Sequence, residues 1–551
     1  MKANLIKLFV LAGILVLAVI VIGGINTTSA DVPAQGKPPT VALPTREGTK
    51  PPTLTATPTK PGVVPQVGAT PVAPLKATVT RTPTRGTAVR STRGSTTKAL
   101  STNFTLVNMS NQQANVTVQY IKEDGSNWPV TTPDRTDFTI AANGGQKILR
   151  QYDDPNMPSG RGAVVVSSTQ PLGAVAQVLA RNQIPSSGAY SGFSQTSSTF
   201  YVPLVMRRLM GASGLSNSQV MIQNAGTASV SNVTVQFLGA TGTNYTKSGI
   251  NIPAGATYYY DLDDEVNLPE GWYGSAVVST GSSAQIAVVV NLFAGAHMLQ
   301  TYNAFTAESL GTTWFVPLFT SRLANGLSTP ISIQNLSGGT LATGSVQLDC
   351  TPDPGSGGSS FSKNNTTSID NNRSYYFNPV VDMSIPANWY GSCRITSSGG
   401  NIVAFVQMRK IGTDEAGAYE AINANGTNKK AFFPLVAKRL GNGFATAVTI
   451  QNLSTSAQAT VTLTYTPSPE YVAAGGNPAV LSTTTTIDAN KSLIQNQRLS
   501  NFSVGGTLMP DGWYGTLTVT SNQPVDGFVQ LTNINPQSGD TFMAHNAFTQ
   551  P

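Results

Sequence analysis

The chain of 551 residues holds only two histidines, His297 and His545, and they stand far apart. A Ser-His-Asp triad or a histidine-based metal site needs imidazole and its partners to converge within one folding unit. Neither histidine has such company nearby, so that chemistry is close to excluded. Sulfur is as scarce: Cys350 and Cys393 are the only cysteines. In an oxidising compartment they would form one disulfide, and in a reducing one they would remain buried thiols. The other candidates come in sets. Arg208, Arg322 and Arg439 each stand five residues after a proline and just before a leucine. Such guanidinium groups either contact an anion or glycan, or hold backbone carbonyls at a domain junction while their stems cover apolar surface. The recurrence of the position favours the structural role. Tyr273, Tyr390 and Tyr514 are candidate glycan-stacking rings, although exposed tyrosines on strands also serve cross-strand pairing.

Acidic turns are the remaining places for metal chemistry. Asp153-Asp154 and Asp263-Asp264-Glu265 precede proline turns, but the third such stretch keeps only Asp382 and the fourth has no acid. Calcium asks for six or more oxygens, so no cofactor is implied and calcium is the weakest of the open options. Asn-x-Ser/Thr sequons such as Asn108-Met109-Ser110 and Asn335-Leu336-Ser337 arise by chance in so Asn-, Ser- and Thr-rich a chain. Gly355-Ser356-Gly357-Gly358 lacks the strand and helix that would make it a phosphate loop. No catalytic constellation emerges, and the chain reads as non-enzymatic.

What repeats is the frame that carries these residues. Gly271-Trp272-Tyr273-Gly274 returns as Asn388-Trp389-Tyr390-Gly391 and as Gly512-Trp513-Tyr514-Gly515. A weaker copy is Met157-Pro158-Ser159-Gly160-Arg161-Gly162. The period is roughly 115 residues, the sign of one unit used four times. The later units open with Phe200-Tyr201-Val202-Pro203-Leu204, Trp314-Phe315-Val316-Pro317-Leu318 and Phe432-Phe433-Pro434-Leu435; the first lacks this opening. An Ile-Gln-Asn strand follows, ending at Asn224, Asn335 and Asn452, with Val107-Asn108 in the first unit. Each unit closes on an aromatic segment, at Tyr190, Tyr302, Tyr419 and His545. Short alternating segments divided by turn residues predict an antiparallel β-sandwich of immunoglobulin-like size. The order F-V-P-L, I-Q-N, W-Y-G-S-A-V-V, Y-N-A-F resembles a tandem repeat of large secreted bacterial cell-envelope proteins. The resemblance spans residues 98–551. It implies surface exposure and β-sandwich repeats, and it implies no catalytic residue.

Alternation also assigns faces. Trp272, Trp389 and Trp513 fall on the inward parity as structural core, and Tyr273, Tyr390 and Tyr514 on the outward one. The first unit has Gly160 in the Trp position, so its core must be filled in another way. Cys350 aligns with Tyr120, Phe237 and Tyr465, and Cys393 with Val164, Ala276 and Leu517. An aromatic–aliphatic pair in three units is thus a Cys–Cys pair in the third. The match predicts that these positions meet across the core, bridged there by a disulfide.

Composition sets the context. Apolar residues make up 40% and charged residues 11%, a palette of strands and turns. The net charge of +7 is not spread evenly. Residues 31–98 hold ten of the Lys and Arg but two of the Asp and Glu, and no aromatic residue. Nucleic-acid binding wants basic and aromatic groups on one folded face, so no nucleic-acid partner is expected. Residues 1–30 form a signal peptide or an N-terminal membrane anchor, with Lys2 and Lys7 ahead of an apolar run expected to be helical. Residues 31–97, Thr- and Pro-rich, predict a disordered basic stalk. Then come repeat 1 (98–198, degenerate), repeat 2 (199–309), repeat 3 (310–428, with the disulfide) and repeat 4 (429–551). The expected architecture is all-β: four tandem modules strung end to end into a rod behind the stalk. The expected role is structural or adhesive, at the cell surface or outside the cell. The partners would be envelope polymers, surface glycans or further copies of the chain, and the membrane if the N-terminal segment is retained. A carbohydrate-binding array and a surface-layer or filament subunit are the alternatives.

Overall fold

The computed structural model describes residues 16–22, 100–130, 133–151, 160–180, 185–211, 213–281, 284–535 and 538–550. The stalk, Asp153-Asp154 and most of the N-terminal segment lie outside them. The described chain is all-β, and its strand pairs are antiparallel.

Module 2 shows the plan. One sheet runs Asn244–Ile252, Val230–Gly239, Trp272–Ser279, Thr199–Arg207 and Phe305–Thr306. The facing sheet holds Thr257–Asp261, Gly214–Asn224, Ile286–Ala294 and Met298–Asn303. Alternation drives the pairing of the two sheets: Trp272, Ala276 and Val278 are buried on one parity of their strand. The same face buries Trp389, Cys393 and Ile395 in module 3, and Trp513, Leu517 and Val519 in module 4. Aromatic edges fill the space around each Trp, as where Trp389 meets Phe361 with centroids 4.9 Å apart.

Module 1 replaces two missing parts. Trp128 comes from a following loop and lies over Gly160, where an added Cβ would stand 2.9 Å from its ring. The place of the absent opening strand is taken by Val16–Ile22, paired with Gly162–Ser168 from Val16↔Ser168 to Ile22↔Gly162. Those seven residues are therefore strand where a hydrophobic helix was expected. Their sequence is dense in Val and Ile, whose branched side chains favour extended backbone. No helix among the described residues is long and apolar enough to cross a membrane.

Cys350 and Cys393 are bridged. They are direct neighbours on the paired strands Val346–Pro352 and Trp389–Ser397, not partners across the core. The equivalent pairs Tyr120↔Val164, Phe237↔Ala276 and Tyr465↔Leu517 occupy the same register. Alternation defines a face and does not distinguish a neighbour in the sheet from a partner opposite. The bridge closes a loop of 43 residues. Replacing both cysteines by Ala should cost about 3–4 kcal/mol, read as a lower midpoint in urea unfolding. A change below about 1 kcal/mol would remove the bridge from the stabilising features.

The four modules do not form a string. They close into a ring in which the fourth touches the first. Ser275 Oγ of module 2 donates to Asn372 O of module 3 at 2.6 Å, and Ser392 Oγ of module 3 to Asn490 O of module 4 at 2.9 Å. Thr516 Oγ1 of module 4 donates to Gly144 O of module 1 at 2.7 Å. The accepting residues Asn372, Asn490 and Gly144 have φ of 64°, 60° and 86°, a left-handed turn that Asn and Gly adopt most readily. At the remaining joint Ala163 has no hydroxyl to give. There the Arg161 guanidinium lies 4.1 Å from the Tyr259 ring centre, and Tyr259 Oη donates to Gly162 O at 3.2 Å.

The closing strands Ser187–Ser191, Met298–Asn303, Ala416–Glu420 and Met543–Asn546 meet in the middle of the ring. Tyr302 stacks on Phe405 of the next module at 3.9 Å, and Tyr419 on Phe528 at 4.0 Å. Asp540 is fully buried there. Its carboxylate accepts from Leu299 N (2.9 Å), Ala416 N (3.1 Å) and Phe542 N (3.0 Å). Its backbone N–H donates to Pro185 O at 2.8 Å. One residue thus touches all four modules. Closure is testable by linkage: Arg150 of module 1 and Glu470 of module 4 pair at 2.8 Å. Arg150→Cys with Glu470→Cys should be joined within one chain by a short bis-maleimide. A string of modules each about 35 Å wide would hold them roughly 100 Å apart, with no intrachain product.

Candidate functional site

Most of the singled-out side chains are spent on the protein's own backbone. Asn108, Asn224, Asn335 and Asn452 are all fully buried. Asn335 Nδ2 donates to Gly339 O and Ile369 O, both at 2.7 Å, while its Oδ1 accepts from Ser337 N at 2.9 Å. Asn108, Asn224 and Asn452 make the corresponding set. Each pins the end of its strand to the facing sheet. The sequon residues Asn108 and Asn335 therefore have no amide free for a glycan in the folded protein.

The three arginines adopt φ of 44–45°, uncommon for a residue with a side chain. Each guanidinium holds the turn before the Trp strand of its own module rather than a joint between modules. Arg208 pairs with Asp263 at 2.6 Å and Glu270 at 2.8 Å. Arg322 donates to the carbonyls of Pro379, Asp382 and Ile385. Arg439 reaches Asp511 and Arg498 O, both at 3.1 Å. The acids of the module 2 turn are likewise engaged: Asp263 by Arg208, and Glu265 by Tyr260 Oη and Asn267. Among the described residues no group of three His, Cys, Asp or Glu could hold a metal ion.

The outward tyrosines sit at the joints, half-buried, because the outward faces of the Trp strands are where modules meet. For the same reason Ser275, Ser392 and Thr516, outward by parity, are buried. Tyr273 packs on Tyr376 of module 3 with centroids 5.6 Å apart. Tyr514 instead packs on Tyr471 of its own module at 5.8 Å, and beyond it the joint to module 1 stays open. There a cleft of about 400 Å³ is lined by Asn103, Thr105, Ile148, Arg150, Gln177 and Leu179 of module 1. Module 4 contributes Leu435, Asn442, Phe444, Tyr514, Leu531 and Met543. A hollow of about 230 Å³ shares Ile148 and Arg150 with it and adds Asp134, Arg135, Lys147 and Glu470. Asn103 Oδ1 and Thr105 Oγ1 are buried without a hydrogen-bond partner. Gln177 Nε2 has only the Met543 sulfur, at 3.9 Å. Between modules 3 and 4 a separate gap of about 10 Å³ lies beside Leu318, Gly391, Ser392 and Ile494.

At the ring centre, burial shifts two groups in opposite senses. Glu420 Oε1 accepts from Asn303 N at 2.8 Å. Burial still lifts its carboxyl from 4.5 to about 6. Burial lowers His545 from 6.5 to about 4. A raised acid stabilises the fold fully below its ordinary value, and that contribution is lost as pH rises through about 6. A lowered histidine works the other way, its contribution being lost as pH falls from 6.5 towards 4. Glu420→Gln should therefore flatten the loss of stability between pH 4.5 and 6, measured by urea midpoints across that range. An unchanged slope would show that Glu420 is not the titrating group.

No family model and no curated protein matches the chain. Among solved structures, Thermotoga maritima 1070 is 14% identical over 20% of this chain and 97% of its own, with a TM-score of 0.18. A tetra-tandem repeat from the extending region of a large adhesion protein is 12% identical over 82% of this chain and 95% of its own, with a TM-score of 0.09.

Proposed function

We propose that the chain is a non-enzymatic, exported bacterial surface protein with a structural or adhesive role in the cell envelope. The observation that carries this reading is the closed ring. Four copies of one fold spend their repeated polar side chains on turns, sheet ends and joints, which is the economy of a rigid display unit. The Cys350–Cys393 bridge suits an oxidising compartment. The Thr/Pro-rich segment 31–97 would serve as a basic spacer behind this head.

A carbohydrate-binding role is the second reading, favoured by the open cleft between modules 4 and 1. Assembly into a surface layer or filament would use the ring's outer faces, since the joint faces are already occupied. Imaging of native envelopes with antibody to the ring, together with thiol titration of the native protein, tests the leading proposal. Label on the envelope with no free thiol is the expected result. A soluble cytoplasmic pool with both thiols reactive would overturn it.

A further inference from the structure

We infer that the cleft between modules 4 and 1 is a binding site for a short neutral saccharide. The inference rests on the surface-protein reading and gives its adhesive role a ligand class.

The cleft lies at the joint with the smallest set of filling side chains. Tyr259 and Tyr376 project into the first and second joints, and the same register position carries Ile494 at the third and Ile148 at the fourth. Phe405 and Phe528 receive the stacked tyrosines of modules 2 and 3; their equivalents are Val289 in module 2 and Val175 in module 1. The stacking tyrosine itself is replaced in module 4 by His545. Only the fourth joint combines all three smaller side chains, and of these Ile148 lines the cleft.

What lines the space sets the ligand's chemistry. Thr105 is fully buried and Asn103 only 9% exposed, yet neither Thr105 Oγ1 nor Asn103 Oδ1 has a partner. A buried polar atom left unpaired is costly, and a ligand bearing O–H or N–H groups would recover that cost. Opposite them stand Leu435, Phe444 and the half-buried ring of Tyr514, surfaces for an apolar face. A molecule with a ring of hydroxyls and an apolar C–H face meets both demands. The charged side chain that lines the cleft, Arg150, is held by Glu470 at 2.8 Å, which favours a neutral ligand. The size lies within the range of about 300–1,000 Å³ usual for small-ligand sites.

The test uses the full chain and a panel of disaccharides: β-1,4-linked glucose, β-1,4-linked N-acetylglucosamine, α-1,4-linked glucose, and uronic-acid counterparts. Saturation-transfer NMR and calorimetry should find at least one neutral disaccharide bound with Kd of about 1 mM or tighter. Tyr514→Ala should weaken it about tenfold or more, and Thr105→Val, which keeps the shape and removes the hydroxyl, severalfold. Tyr390→Ala, at the closed joint, should leave binding unchanged. If Tyr514→Ala does not fold, Thr105→Val decides. No neutral disaccharide binding at 10 mM, a preference for the uronic acids, or unchanged binding in Thr105→Val would overturn the inference. Envelope location of the wild type, scored separately, tells its failure from that of the surface reading. Location without sugar binding sinks the cleft alone, and sugar binding without location sinks the surface role alone.

Discussion

Replacing Asp540 with alanine should loosen all four modules together. The carboxylate takes N–H groups from Leu299 of module 2, Ala416 of module 3 and Phe542 of module 4. Its own carbonyl accepts from Ser187 Oγ of module 1 at 3.1 Å. Burial pushes the carboxyl well above the ordinary carboxylate range, and the three N–H donors pull against that shift. Truncation removes the acceptors and leaves three donors in a site that water does not reach. Each orphaned group costs about 1–3 kcal/mol, so a loss of about 3–9 kcal/mol is expected. Asparagine should recover only part of it. It keeps an oxygen for two of the donors, but its amide then faces the third N–H donor to donor. Thermal melts give the size of the effect, and hydrogen exchange gives its location. Leu299, Ala416 and Phe542 should lose amide protection together. A loss under about 1 kcal/mol, or exchange confined to module 4, would show that Asp540 does not couple the modules.

Strand-level features were legible because they rest on alternation and repetition. Trp272, Trp389 and Trp513 are core, and the cysteine pair shares the register of its three counterparts. The ring was not legible, for a physical reason. Its joints are made from Ser and Thr hydroxyls and from backbone carbonyls at left-handed turns, groups that look like ordinary strand surface and ordinary turns in a sequence. Asp540 follows Gly539 in a loop and reads as one more turn acid. A signal was present, however. Ser275, Ser392 and Thr516 recur directly after the glycine of the Trp strand, on the parity assigned to solvent. A recurring small hydroxyl on a supposedly free face marks a repeated contact. The unpaired cleft was hidden in the same way. It lies at the joint that combines Ile148, Val175 and His545, and each of these alone is an unremarkable substitution.

Trp389→Ala should be the most damaging single change within a module, and Tyr390→Ala beside it a mild one. Trp389 is fully buried. Its ring meets Phe319 at 6.0 Å and Phe361 at 4.9 Å, and its Nε1 donates to Ser359 O at 3.0 Å. Truncation removes a Trp side chain from that core and leaves a cavity between rigid sheets. The expected cost is about 3–5 kcal/mol. Tyr390 is half-buried at the joint to module 4, where solvent can follow the shortened side chain, so its truncation should cost about 1 kcal/mol. The disulfide lies in the same strand as Trp389 and ties it to its neighbour. A Trp389→Ala chain should therefore keep this strand pair while the sandwich around it loosens. Urea unfolding of the full chain, with exchange read separately over modules 3 and 4, distinguishes the cases. Equal losses at the two positions would mean that burial in the joint, rather than burial in the sandwich, sets the stability of the ring.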